Sequence, residues 1–253
     1  MVTNSLRLRE VFHLTFLREL VRSVPLSAFA LKGGSNLRFF FESPRYSEDM
    51  DLDAMGIPVH LLRDKVMTIL ASRALLDSLR TFGIERIVAP RLSSAKQTEP
   101  VQRFKVHLLT GAGEDLSTKV EFSRRGFDPG VRSEPVPARF LAAHQLAPLV
   151  IPHYGGESAA VQKVKALVGR RQTEARDVFD LYILIPRLST SLGPQFTGEE
   201  LTLARERLFS IDYEQYRDTV VAFLAAEDQS GYDSPERWDE IRLRVEGLLG
   251  GAE

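Results

Sequence analysis

With 253 residues, 43% of them hydrophobic and 26% charged, the chain can bury the core of one large domain or two modest ones. Lys and Arg number 33 against 34 Asp and Glu, so the formal net charge of -1 draws in no polyanion globally, and any nucleic-acid surface must be a local patch. The absence of cysteine excludes disulfides, thiolate metal sites and a cysteine nucleophile, and fits a reducing compartment. No apolar run approaches the ~20 residues that cross a bilayer. Charges interrupt the N-terminal stretch where a signal peptide would carry an apolar block, so a cytoplasmic protein with no membrane partner is expected.

Along the chain, residues 6–23 place Leu8, Val11, Phe12, Leu14, Phe16, Leu17, Leu20 and Val21 on one broad stripe, which predicts a packed helix. "AFALKGG" reads as a short buried strand stopped by two glycines, and "SNLRFFFES" as a helix with Ser35 as its N-cap. "MDLDAM" is strand-like, 60–73 helical, and "IERIVAPRL", "QRFKVHLLT" and "LSTKVEFSRR" alternate as strands do. "EPVPARF" and "VIPHYGGES" are rich in turn formers, with Pro148 and Pro152 interrupting the chain. Beyond them the pattern turns helical: "ESAAVQKVKALVGR", "EARDVFDLYILI", "GEELTLARERLF", "DYEQYRDTVVAFLAAE" and "PERWDEIRLRVEGLLG". A boundary near residue 150 is expected, giving a core domain over 1–150 and a helical domain over 151–253, with "GGAE" as a frayed tail.

"SEDMDLD" sets Asp49, Asp51 and Asp53 at every second position, so as a strand it turns all three to one face while Met50 and Leu52 enter the core. A solvated strand edge explains a lone pair of this kind; paired carboxylates also hold Mg²⁺, a hard ion that bridges carboxylates to substrate phosphates. Upstream, Gly33 and Gly34 end a strand and Ser35 begins a helix, whose free amides would take a phosphate at close range. A phosphate cradle with metal carboxylates is a nucleotide-transfer constellation.

This order of motifs, Gly34-Ser35 followed after thirteen residues by "DMDL", resembles the signature of the polymerase-β-like nucleotidyltransferase superfamily with Asp49 and Asp51 as the pair. Asp53 is then an accessory ligand or an exposed neighbour. More narrowly, "LKGGSNLRFFF" and "RYSEDMDLD" are similar to the "LKGG-T/S-x-L-R" and "R-F/Y-S-E-D-x-D" of AbiEii/MenT-type nucleotidyltransferase toxins, and "QKVKALVGR" with "ARDVFDLY" resembles their later "EKLxALxxR" and "xRDxxDLY". Gln162 departs from the Glu usual there. The resemblance implies an α+β fold, a polymerase-β-like core with a mixed sheet followed by a mainly helical half. It implies an enzyme passing NMP from an NTP to RNA, the 3′ end of tRNA, with pyrophosphate released and translation blocked.

Under that resemblance Asp49, Asp51, Lys163, Asp177 and Asp180 are the catalytic candidates; Gly33, Gly34, Ser35, Arg38 and Lys163 would hold the nucleotide; and Asp49, Asp51 and Glu121 would hold Mg²⁺, or Mn²⁺ in its place. Asp177 and Asp180, three apart on one helix face, would be an acceptor-side base or an anchor for Lys163 and Arg176. Glu121 on an alternating strand equally fits a plain polar face. Arg124, Arg125, Lys163, Lys165, Arg170, Arg171 and Arg176 offer a basic strip for RNA, or a solvated face. Phosphorylation at Ser47 would set negative charge beside the metal site. A cognate antitoxin is an implied partner. The alternatives are a nucleotidyltransferase that modifies a partner protein, as AMPylating antitoxins do, and a catalytically silent nucleotide-binding module.

Overall fold

A computed structural model describes residues 2–91 and 97–250; Leu92 at the end of one expected strand, and the tail 251–253, lie outside the described residues. The chain divides into two compact units: the chain up to Phe40 with Tyr46–Tyr154, and Phe41–Arg45 with the chain from Gly155 onward.

The first unit runs α1 (Val2–Ser23), β1 (Phe29–Lys32), α2 (Gly33–Phe40), β2 (Met50–Ala54), α3 (Val59–Leu70), α4 (Arg73–Arg80), β3 (Ile84–Val88), β4 (Val101–Thr110), β5 (Asp115–Ser123), β6 (Val131–Pro135), α5 (Ala138–Ala143) and β7 (Val150–Tyr154). Its seven strands form one mixed sheet in the order β3-β4-β5-β2-β1-β7-β6. β2 lies inside it, antiparallel to β1 with Lys32 opposite Asp51, and parallel to β5 with Asp51 opposite Glu121. Period-two alternation drives this: Met50, Leu52 and Ala54 of β2, and Leu116, Val120 and Phe122 of β5, are buried in the apolar core that also takes Val11, Phe12, Phe16 and Leu20 from α1. The expected α+β class, with a mixed sheet, is what the chain forms.

Three local expectations are corrected. Ser35 does not cap α2: the helix already starts at Gly33, and Ser35 is its third residue. The turn-rich stretches hold strands, since "VIPHY" is β7 and pairs with both β6 and β1. Pro152 misled because proline lacks the amide that a strand interior uses; here β7 meets β1 at a single register pair, Leu31 with His153. "DYEQYRDTVVAFLAAE" is not one helix either, because α9 stops at Thr219.

The second unit is helical: α6 (Gly156–Gly169), α7 (Ala175–Leu184), α8 (Gly198–Phe209), α9 (Tyr213–Thr219), α10 (Ala226–Tyr232) and α11 (Pro235–Leu248). Its starts are locally encoded. Thr197 and Glu200 form a reciprocal capping box on α8, Asp212 accepts from Gln215 N on α9, and Ser234 with Pro235 opens α11. Tyr216 stacks on Trp238 at 4.3 Å, Phe179 meets Tyr232 edge-on at 5.4 Å, and the Trp238 indole N–H donates to Ile211 O. Trp238 is the single tryptophan, so its fluorescence reports this unit alone. Phe179→Ala is expected to lower the unit's stability by about 3 to 5 kcal/mol, seen as an earlier denaturant midpoint of that fluorescence; an unmoved midpoint would contradict this packing.

Candidate functional site

In the first unit one face of the sheet carries a row of charge. The register places Lys32, Asp51, Glu121 and Arg103 across four adjacent strands. Asp49 stands just before β2, outside its ladder, and meets Lys119 Nζ at 3.0 Å. Glu121 Oε2 accepts from Arg103 Nε at 2.6 Å. Asp53 is buried rather than an exposed neighbour: Lys32 Nζ donates to one oxygen at 2.5 Å and the Tyr154 hydroxyl to the other at 2.6 Å. Burial pushes the Tyr154 phenol pKa up, and the Asp53 carboxylate adds to it.

Asp51 has the least comfortable position. Burial raises its pKa above the usual carboxylate range, Glu121 and Asp49 push it further up, and Lys119 and Lys32 pull against them. Gly33, at φ +68°, brings backbone against this carboxylate: a Cβ built there would stand 3.0 Å from Asp51 Oδ2. The first amides of a helix have no partner within it, and α2 starts at Gly33, the residue that approaches Asp51. The Ser35 hydroxyl is turned away from that role and donates to Asp49 O at 3.0 Å, as Ser47 does at 2.8 Å. Arg38 is held by Glu10, with Nε to Oε2 at 2.6 Å, and lies over the Tyr46 ring at 4.1 Å.

Among the described residues no three His, Asp or Glu side chains gather into a ready metal cage. The donor set nevertheless fits a hard cation of the kind that takes one or two carboxylates and completes its shell with substrate phosphate and water. Asp49, Asp51 and Glu121 are all oxygen donors, and Lys119 and Arg103 neutralise two of them internally.

The second unit has its own charge cluster. Lys163 is buried, with Nζ 3.0 Å from Asp177 Oδ1 and 2.6 Å from Asp180 Oδ2. Burial opposes its charge, but Asp180 and Asp177 outweigh that and hold its pKa above the usual lysine value. Arg45 Nη2 reaches both oxygens of Asp180, at 2.9 and 3.0 Å. Burial raises the Asp180 pKa, and Arg45 and Lys163 overcome that to leave it lowered. Asp177 Oδ2 faces Arg170 Nε at 2.7 Å as an ion pair without an aligned hydrogen bond. Lys163 and Arg170 are therefore engaged inside the unit rather than lying on an open basic strip, while Lys165, Arg171 and Arg176 are exposed. In the first unit Arg124 donates to Ile57 O, and Arg125 is exposed.

Residues 15–244 match the model of a family described as nucleotidyl transferase AbiEii toxin, type IV toxin–antitoxin system. The chain belongs to this AbiEii family. Among solved structures it is similar to MenT4, a nucleotidyltransferase toxin from Mycobacterium tuberculosis, at 16% identity and a TM-score of 0.60, covering 98% of this chain and 85% of that one. It is also similar to JHP933 from Helicobacter pylori, at 18% identity, a TM-score of 0.53 and coverage of 94% and 88%. A putative nucleotidyltransferase from H. pylori gives 18%, 0.52, 96% and 92%. At these identities the likeness is one of fold. No curated protein matches the chain.

Lys163 meets Asp177 and Asp180 as the anchoring expectation has it, while Arg176 pairs with Glu174, and the counter-charges of the first unit were not assigned. Lys119 was within reach, since it stands two residues before Glu121 and so shares its face. Lys32 sits inside "LKGG" and Arg45 opens "RYSED", yet their partners Asp53 and Asp180 follow from topology alone.

Two predictions follow from Asp51 and Gly33. A carboxyl whose folded pKa lies above its unfolded value weakens the fold when ionised, and the penalty fades as pH falls through the folded pKa. Asp51→Asn is thus expected to raise the thermal midpoint at neutral pH, with a gain that shrinks on acidification; a pH-independent difference would contradict it. Gly33→Ala should cost more stability than Gly113→Ala: both carry positive φ, worth about 1 to 2 kcal/mol of strain, but a Cβ at Gly113 meets nothing within 4 Å. Equal losses in thermal unfolding would remove the close approach to Asp51.

Proposed function

We propose that this chain is a toxin that transfers a nucleoside monophosphate from an NTP to the 3′ end of an RNA, with tRNA as the acceptor and arrest of translation as the outcome. The observation that carries the reading is the approach of the Gly33 helix start to the Asp51 carboxylate, with Glu121 opposite Asp51 and Asp49 paired to Lys119 of the same strand as Glu121. Phosphate donors and hard oxygen ligands then share one place, as transfer of a charged phosphoryl group requires. Bound there by Asp49 and Asp51, with Glu121 beside them, Mg²⁺ or Mn²⁺ would supply charge neutralisation on the triphosphate.

The remaining roles belong to the chain itself. The amides of Gly33, Gly34 and Ser35 would orient terminal phosphate oxygens. Lys163 is assigned to the triphosphate because its motif resembles that of the family, and its two buried acids keep it charged as that task demands. Asp177 is favoured over Asp180 as the acceptor-side group, because both oxygens of Asp180 are hydrogen-bonded whereas Asp177 Oδ2 keeps unaligned acceptor capacity. Arg38, tied to Glu10, would support α2 from behind. Ser47, bonded to Asp49 O, is where phosphorylation would remove a donor and add charge beside the acids. A cognate antitoxin partner, and a cytoplasmic setting where NTP and tRNA are found, accompany this reading.

The test is incubation with each labelled NTP and Mg²⁺ or Mn²⁺, using tRNA and protein pools kept separate. Label is expected in tRNA, and Asp49→Ala, Asp51→Asn and Lys163→Met should each lower transfer by more than ~100-fold, as loss of a transition-state charge contact does. Label confined to protein would move the acceptor to a protein partner. A folded chain that consumes no NTP with either metal would be a silent binding module.

A further inference from the structure

Asp49 is the acid whose backbone the sheet does not hold, although its carboxylate meets Lys119 of β5 at 3.0 Å. The β2 ladder begins with Met50 opposite Val120, so Asp51 is fixed by strands on both sides and Asp49 by neither. In place of a ladder, three hydroxyls converge on two consecutive carbonyls. Ser47 and Ser35 donate to Asp49 O at 2.8 and 3.0 Å, and Thr118 donates to Glu48 O at 2.6 Å.

The Thr118 hydroxyl has one proton, and a carbonyl only accepts, so that proton is committed to Glu48. Its other buried neighbour, His13 Nε2 at 2.8 Å, must then be the donor, which fixes a proton on Nε2 of His13. Burial keeps the ring neutral, holding the His13 pKa down to about 4 against the charges of Asp49 and Glu10. A donor on α1, a relay on the buried face of β5 and an acceptor just before β2 thus form one line through the first unit.

We infer that His13 and Thr118 are positioning residues for the cation site, fixing through the Glu48 carbonyl the peptide from which the Asp49 carboxylate projects. The inference rests on the reading of Asp49 and Asp51 as cation ligands, and it adds that an unligated side chain on α1 sets their geometry. Partners of this outer kind matter in proportion to how little else orients the ligand.

The experiment measures Mn²⁺ binding to the folded full-length chain without NTP, from the electron paramagnetic resonance signal of free Mn²⁺. Thr118→Val is expected to weaken binding by about tenfold, the lower end of what loss of an outer-shell partner costs. Thr118→Ser, which keeps the hydroxyl, and His13→Gln, which keeps a donor near the Nε2 position, should stay near wild type. A merely structural role would lower the thermal midpoint of Thr118→Val and leave Mn²⁺ binding by its folded fraction unmoved, and that result overturns the inference. Should Thr118→Val not fold, ¹⁵N resonances of His13 in the wild-type chain decide: a proton on Nε2 at neutral pH supports the relay, and the Nδ1–H tautomer, bare at Nε2, overturns it. A wild-type chain that binds no Mn²⁺ would bring down the cation-site reading itself, whereas tight wild-type binding with an unaffected Thr118→Val removes only the positioning role.

Discussion

Negative charge repeated along an inner strand is the constraint around which the first unit is built. Carboxylates on the same face of a strand lie close enough to repel, and burial removes the water that would screen them. The neighbouring strands answer with cations and a phenol. Lys119 meets Asp49, Lys32 and Tyr154 share Asp53, and Arg103 takes Glu121. Asp51 is left with its pKa raised, between two lysines and two like charges. A strand that served structure alone would gain by losing that acid, because a carboxyl whose pKa is raised by folding weakens the fold when ionised.

The second unit meets the same problem with cations in excess of acids. Asp177 and Asp180 have no solvent exposure, and Lys163, Arg45 and Arg170 surround them. Buried ion clusters of this kind contribute little net stability, because desolvation offsets most of the attraction, but removing one member leaves a charge stranded. Their value lies in fixing geometry. Lys163 is thereby kept charged despite its burial and fixed between two acids.

What the sequence disclosed follows from the range of each interaction. Alternation along "MDLDA" and "LSTKVEFS" sets strand and face together, so Asp51 and Glu121 were identifiable as outward acids from local pattern alone. Their adjacency was not, because the parallel pairing of β2 with β5 is decided by topology. Helix starts with side-chain caps, such as Thr197 and Ser234, were legible for the same local reason. Ser35 misled because a serine after two glycines is the usual signal for a cap, whereas the positive φ of Gly33 lets the helix begin two residues sooner and frees the serine to bond Asp49 O. Lys163 was legible as a partner of Asp177 and Asp180, whereas Lys32 with Asp53 and Arg45 with Asp180 were hidden because each pair is long-range.

The assignment of Phe41–Arg45 to the second unit has a bearing on synthesis. Arg45 is separated from Asp180 by 135 residues, so during translation its guanidinium leaves the ribosome long before the carboxylate that will neutralise it exists. A fragment cut at Gly155 would carry Asp180 without Arg45, so the second unit is not one contiguous stretch of the chain.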